Sequence, residues 1–135
     1  MSVTLPAELR PVFRNGVPAL LVTCSAAGEP NSTIISQAYW VDERHVGLSF
    51  QFFNKTVRNI RENPRASLCV MDFEEFRDYL LQLRYDHSET EGPVFDEMDL
   101  QIEAIASATG MSGIFKLRAA DIYVVESVER IDYEG

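Results

Sequence analysis

Strand-sized apolar runs joined by connections of only a few residues dominate this chain, and they confine it to a mostly antiparallel β architecture. Val17–Cys24 reads as a buried strand, and the turn Ala26-Ala27-Gly28-Glu29-Pro30 sends the chain back into Ser32–Val41. Asp42-Glu43-Arg44 turns it again into His45–Gln51. Parallel pairing needs crossovers of a dozen or more residues, and these connections are far too short. Ala66–Phe73 follows, then the charged turn Glu74–Arg77, then Tyr79–Tyr85. In that last run Tyr79, Leu81, Leu83 and Tyr85 alternate with Leu80, Gln82 and Arg84, the period of a half-buried strand. Asp86–Glu91 reads as an acidic loop or a frayed extension of that strand. Ile114–Leu117 and Ile122–Val128 are expected to be closing strands, split by Arg118–Asp121. So many strands expose edges unless a closed or partly closed barrel hides them.

Helical periodicity is confined to three places. Leu9, Val12 and Phe13 put a short helix within Pro6–Asn15, ended by Gly16, whose apolar face is expected to cap one end of the barrel. Phe95, Met98, Ile102, Ile105 and Ala106 recur at three- and four-residue steps over Val94–Ala108. The third helix follows Asn54-Lys55-Thr56, carries Val57 and Ile60 on one face, and stops before Pro64, whose ring disfavours helical geometry at Asn63. The expected class is mainly β (α+β): a single domain over residues 1–135 with six or seven strands and two or three short helices.

Ser49–Pro64 is the stretch that points to chemistry. The first turn of its helix leaves backbone N–H groups without partners at the positive end of the helix dipole. Asn54 is a suitable cap, with Thr56 the second choice, and Lys55 adds a full charge. Together they form a cradle for a phosphate monoester. Lys55, Arg58, Arg61 and Arg65 lie close together with only Glu62 against them, in a chain of net charge −9. The same charges also suit a solvated amphipathic helix. In the phosphate reading Thr56 positions the group, while Arg58 and Arg61, a turn further on, act as a diffuse positive field. The glycine-rich nucleotide loop is missing.

The remaining polar signals exclude more than they assign. An acidic chain argues against nucleic acid and against anionic membranes. The longest apolar stretch, Val17–Val22, is too short to span a bilayer, and the first ten residues carry no long apolar run of a secretory signal. Cys24 and Cys69 each sit inside an apolar run, as free thiols of a reducing cytoplasm would. His45 and His87 stand apart from each other and from both cysteines, so no metal site is expected and both read as surface histidines. Tyr39, Trp40 and Phe52 could flank a flat ring, though large aromatics more often fill a core. Ser36 and Gln37 interrupt an apolar run and need partners: a ligand, or water inside the barrel.

The order of strands and the residues Leu48-Ser49-Phe50-Gln51, Asn54-Lys55-Thr56, Asn59-Ile60 and Asn63-Pro64-Arg65-Ala66 resemble the pyridoxamine 5'-phosphate oxidase-like FMN-binding split barrels, over about residues 10–73. Asp121–Val125 also resembles that family's last strand. The resemblance implies a homodimer with FMN at the subunit interface, Asn54, Lys55 and Thr56 holding the phosphate, and Ser49, Phe50 and Gln51 lining the site. Thr33, Ile34, Ile35 and Ser36 would run beside the ring and ribityl chain, partly through backbone groups. It implies a flavin-dependent oxidoreductase acting with a small-molecule substrate or electron donor; the alternative is a non-catalytic flavin, deazaflavin or haem carrier. The second position of the family's basic phosphate pair is Thr56 here. The arginine-rich substrate motif of true pyridoxamine phosphate oxidases is absent from Val128–Gly135, so vitamin-making activity is not expected.

Overall fold

The computed structural model describes residues 3–14, 19–35, 37–49, 54–72, 74–108, 110 and 117–132. A short 3₁₀ turn, Ala7–Leu9, leads into α1 (Arg10–Arg14). The strands are β1 (Ala19–Cys24), β2 (Pro30–Ile35), β3 (Ala38–Asp42), β4 (His45–Ser49), β5 (Arg65–Asp72), β6 (Arg77–Glu89) and β7 (Ala120–Asp132). Between them lie α2 (Asn54–Glu62) and α3 (Pro93–Ala108). The seven strands form one sheet in the order β2-β1-β5-β6-β7-β4-β3, antiparallel at every pairing. This is the expected split barrel.

β6 and β7 form the spine, each 13 residues long and paired along its length. The alternation expected in β6 holds: Tyr79, Leu81 and Leu83 are buried, and Gln82 and Arg84 are exposed. Inward residues of β1, β5, β6 and β7 make the main core, and Leu9, Val12 and Phe13 close one end of it as expected for α1. Trp40 packs edge-on against Phe13, at 6.3 Å between ring centroids, and so belongs to the core. A second apolar cluster lies under α3, where Met98 and Ile102 meet Ile122 and Ala120, with Tyr39 against them. Phe52 lies outside the described residues.

One expectation is corrected. Ser32–Val41 is not one strand. β2 ends at Ile35, and β3 begins at Ala38 at the opposite end of the sheet order. The break falls at Gln37, which is fully buried. Its amide Nε2 donates to the Met98 carbonyl at 2.9 Å and to Gln101 Oε1 at 2.7 Å. Its amide nitrogen is therefore held by α3, while its buried Oε1 has no partner among the described residues. Of the two readings of the acidic segment after Tyr85, the strand extension holds: β6 continues to Glu89, held by β7 through a bulge at Asp86. The expected strand at Ile114–Leu117 lies mostly outside the described residues, and Leu117 is not in a strand. β7 is correspondingly longer than Ile122–Val128.

α3 sits close enough to the sheet to demand a glycine. A Cβ on Gly47 in β4 would lie 2.9 Å from the Met98 sulfur. Gly47→Ala should therefore destabilise the fold by about 1–3 kcal/mol, the usual cost of overpacking. Urea unfolding measures it; Met98→Ala alone should cost about 2–5 kcal/mol through the cavity it leaves, and Gly47→Ala/Met98→Ala should cost less than the sum of the two single losses because the clash is gone. Among the described residues no helix is long and apolar enough to cross a membrane.

Candidate functional site

A cleft of about 150 Å³ opens between one face of α2 and the sheet. α2 supplies Thr56, Val57, Ile60 and Arg61, four residues that helical spacing stacks on one side. β1 and β2 supply Leu21, Thr33 and Ile35, β4 supplies Leu48 and Ser49, and the paired ends of β6 and β7 supply Tyr85, Ser88, Asp121 and Tyr123. The cleft thus has an apolar floor, a cationic side chain and a carboxyl group.

Hydrogen bonds fix α2 in place. Asn59, buried at 5% exposure, donates its Nδ2 to Thr23 Oγ1 at 3.1 Å. The Ala26 N–H donates to Glu62 Oε2 at 2.9 Å, tying the end of the helix to the β1–β2 turn. Asn31 Nδ2 donates to Thr56 Oγ1 at 3.3 Å. The Thr56 hydroxyl proton remains free to point at a ligand, because accepting a bond does not use it.

The residues expected at the site are placed as follows. Thr33, Ile35, Ser49 and Thr56 come together in this one cleft. Ile34 does not join them: strand alternation turns it outward, and it is 68% exposed. Ser36, Phe50 and Gln51 lie outside the described residues. Asn54 and Lys55 open α2 as expected, but their side chains lie outside the described residues too. Arg61, expected to act as a diffuse positive field, is exposed and lines the cleft in the last turn of α2.

The β6–β7 end of the site was not read from the sequence. Tyr85 and Ser88 are three apart, so strict alternation would put them on opposite faces. The bulge between Tyr85 and His87 inserts one extra residue, Asp86, and brings them to the same side. Tyr85 then lies opposite Tyr123, and Ser88 opposite Asp121. The Tyr85 and Tyr123 rings meet edge to face at 5.6 Å. Burial raises the Asp121 carboxyl above its ordinary pKa, and the hydrogen bond from Ser88 opposes that shift. Burial also raises the Tyr123 phenol, reinforced by the charge of Asp121. The available signal was Asp121 itself, a lone carboxylate directly ahead of the apolar run Ile122–Val125.

The histidines lie elsewhere. His45 Nδ1 bonds Asp42 Oδ1 at 2.8 Å across the β3–β4 turn. His87 is held between Glu89 and Asp86, whose carboxylates raise its pKa in that order. Neither lines the cleft.

An antiparallel split barrel with a basic helix over its cleft defines the class, and the sequence confirms it. The chain belongs to the pyridoxamine 5'-phosphate oxidase family, whose model matches residues 5–126. No curated protein matches it. Several solved structures share its fold. An FMN-binding protein of Syntrophomonas wolfei superposes with TM-score 0.77 at 14% identity, over 95% of this chain and 86% of that one. An F420 reductase gives TM-score 0.66 at 14% identity, over 93% and 98%. The haem storage protein of Vibrio cholerae gives 0.58 at 14% identity, over 98% and 93%.

Proposed function

We propose that the cleft binds FMN, and that the protein is a cytoplasmic flavin-dependent oxidoreductase acting on a small molecule or electron donor. The observation that carries this reading is the convergence of Thr56 and Arg61 from α2 with Thr33, Ile35 and Ser49 from the sheet. A phosphate would sit against the first turn of α2, held by backbone N–H groups, the Thr56 hydroxyl, Arg61 and Lys55. Leu21, Ile35, Leu48 and Ile60 supply the apolar wall a flat ring needs. When bound, the flavin supplies the hydride or electron transfer; the chain supplies binding, orientation and electrostatics. Two of the structures of the same fold are named as FMN-binding, which supports the choice.

The size of the cleft bears on assembly. About 150 Å³ is well below the roughly 300–1,000 Å³ of pockets that enclose a drug-sized ligand. One chain therefore offers part of a site, and a second copy would complete it. We take the protein to be a homodimer on this ground. The outer faces of β2 and β1 offer an apolar contact, where the exposed side chains of Ile34 and Leu20 lie opposite each other in register.

Neighbours named for F420 and haem supply the competing readings. Purified protein titrated with FMN, riboflavin, F420 and haem separates them. FMN should bind tightest and at one molecule per chain. Haem or F420 binding more tightly than FMN would contradict the proposal. Sedimentation should show a dimer with flavin bound; a flavin-loaded monomer at micromolar concentration would remove the dimer from it.

A further inference from the structure

Tyr85, Ser88 and Asp121 form a continuous chain of hydrogen bonds along the wall of the cleft. Ser88 Oγ donates to Asp121 Oδ1 at 2.7 Å. Tyr85 Oη and Ser88 Oγ lie 2.5 Å apart, and either oxygen can be the donor between them. All three residues line the cleft, and the bulge at Asp86 is what places Tyr85 and Ser88 together. Bulges beside sites re-aim side chains in this way.

Two hydroxyls in series with a carboxyl group have a directional property. Each hydroxyl has one proton to give and can accept as well. With Asp121 ionised, Ser88 must donate to it and Tyr85 donates to Ser88. The Tyr85 oxygen then faces the cleft only as an acceptor. With Asp121 protonated on Oδ1, the order reverses: Asp121 donates to Ser88, Ser88 to Tyr85, and Tyr85 donates into the cleft. The only proton gained is the one Asp121 takes from solvent; the two hydroxyls merely rotate.

We propose that Asp121 is a specificity-determining residue, acting through Ser88 to set whether Tyr85 offers a hydrogen-bond donor or an acceptor to whatever occupies the cleft. The chain is independent of the flavin reading, but its consequence for FMN rests on that reading. A group that changes its own hydrogen-bonding needs on reduction, as a flavin ring does, is the chemical class such a switch suits. Burial raises the Asp121 carboxyl above its ordinary pKa, and the Ser88 hydrogen bond opposes that shift.

Among the described residues, few groups surround Asp121. β6 presents Tyr85 and Ser88, with His87, Asp86 and Glu89 in an exposed cluster nearby. β7 adds Tyr123, α2 adds Arg61, and β4 places only Leu48 opposite. His87 titrates in its own right, with a raised pKa, so an overall pH profile would mix the two events. A site-specific probe is required.

The test uses ligand-free, full-length protein, so its outcome does not depend on whether FMN binds. The carboxyl carbon of Asp121 and the Cζ carbon of Tyr85 are followed by ¹³C NMR from pH 4 to pH 8, about the span over which buried carboxyls and histidines titrate. In the wild type, Tyr85 Cζ should step at the same midpoint as Asp121. Ser88→Ala should abolish the Tyr85 step and move the Asp121 midpoint upward, since it removes the bond that favours the ionised form. Ser88→Thr keeps a hydroxyl and should restore the coupling; Tyr123→Phe should leave it intact. A Tyr85 resonance that ignores the Asp121 midpoint, or follows it equally well in Ser88→Ala, would overturn the inference. Ser88 is exposed, so its variants should keep the fold, and amide spectra confirm that. Should the coupling appear in protein that binds no FMN, the switch stands and the flavin reading fails.

Discussion

Arg61→Ala is expected to weaken FMN tenfold or more while changing riboflavin by no more than about twofold, because a hydrogen bond to a charged group contributes roughly 1.5–3 kcal/mol and tenfold in affinity is about 1.4 kcal/mol. Arg61 lines the same cleft as Thr56, and on the proposed binding mode both would reach the flavin phosphate. Riboflavin lacks the phosphate and loses nothing when the arginine goes. Thr56→Val should also weaken FMN about tenfold, through a lost donor and an Asn31 amide left without its acceptor. The two effects differ in salt dependence: ions screen the arginine over about 8 Å at physiological strength, and affect the hydroxyl much less. Fluorescence titration of both flavins at low and high salt checks this. Equal losses for FMN and riboflavin would show that Arg61 only holds the helix in place.

The largest effect on stability is expected at Leu81, fully buried at the centre of the sheet. β6 is the middle strand of seven, and register sets Leu81 between Leu68 of β5 and Val128 of β7. Leu81→Ala leaves a cavity that neighbours on both sides are too constrained to fill. The cost should be about 2–5 kcal/mol, a large share of the roughly 5–15 kcal/mol that holds a domain folded. Leu80, one residue away, points to the other face and is only half-buried. Leu80→Ala should cost clearly less. Urea unfolding of both variants tests the assignment of faces, and similar losses for the two would contradict it.

Local patterning carried much of the fold. The alternation of Tyr79, Leu81 and Leu83, the spacing of Leu9, Val12 and Phe13, and the turns at Asp42–Arg44 and Glu74–Arg77 are all short-range signals, and each holds. Long-range geometry was harder to read. Gln37 broke the apolar run Ser32–Val41 visibly, yet nothing local said that its amide would pair with α3, 61 residues away. A bulge adds one residue to a strand without changing its composition. The segment after Tyr85, rich in charge, therefore read as either a loop or a strand extension, and β7 holds it as strand. For the same reason Tyr85, Ser88 and Asp121 stayed unassigned: only the pairing of β6 with β7 brings them together. The helix side of the site was legible because Thr56 lies in the first turn of a basic helix. That Arg61, in the last turn, lines the same cleft was not, because only the packing of α2 on the sheet sets which of its residues border the cleft.

The claim at the centre of this account is that the cleft between α2 and the sheet holds FMN. A crystal structure of the protein grown with FMN tests it most directly. The flavin phosphate should lie against the first turn of α2, within hydrogen-bond distance of the Thr56 hydroxyl and the Arg61 guanidinium. The ring should rest near Ile35 and Ser49, with a second subunit closing the open side. Flavin found away from α2, or a phosphate contacting neither Thr56 nor Arg61, would contradict the account.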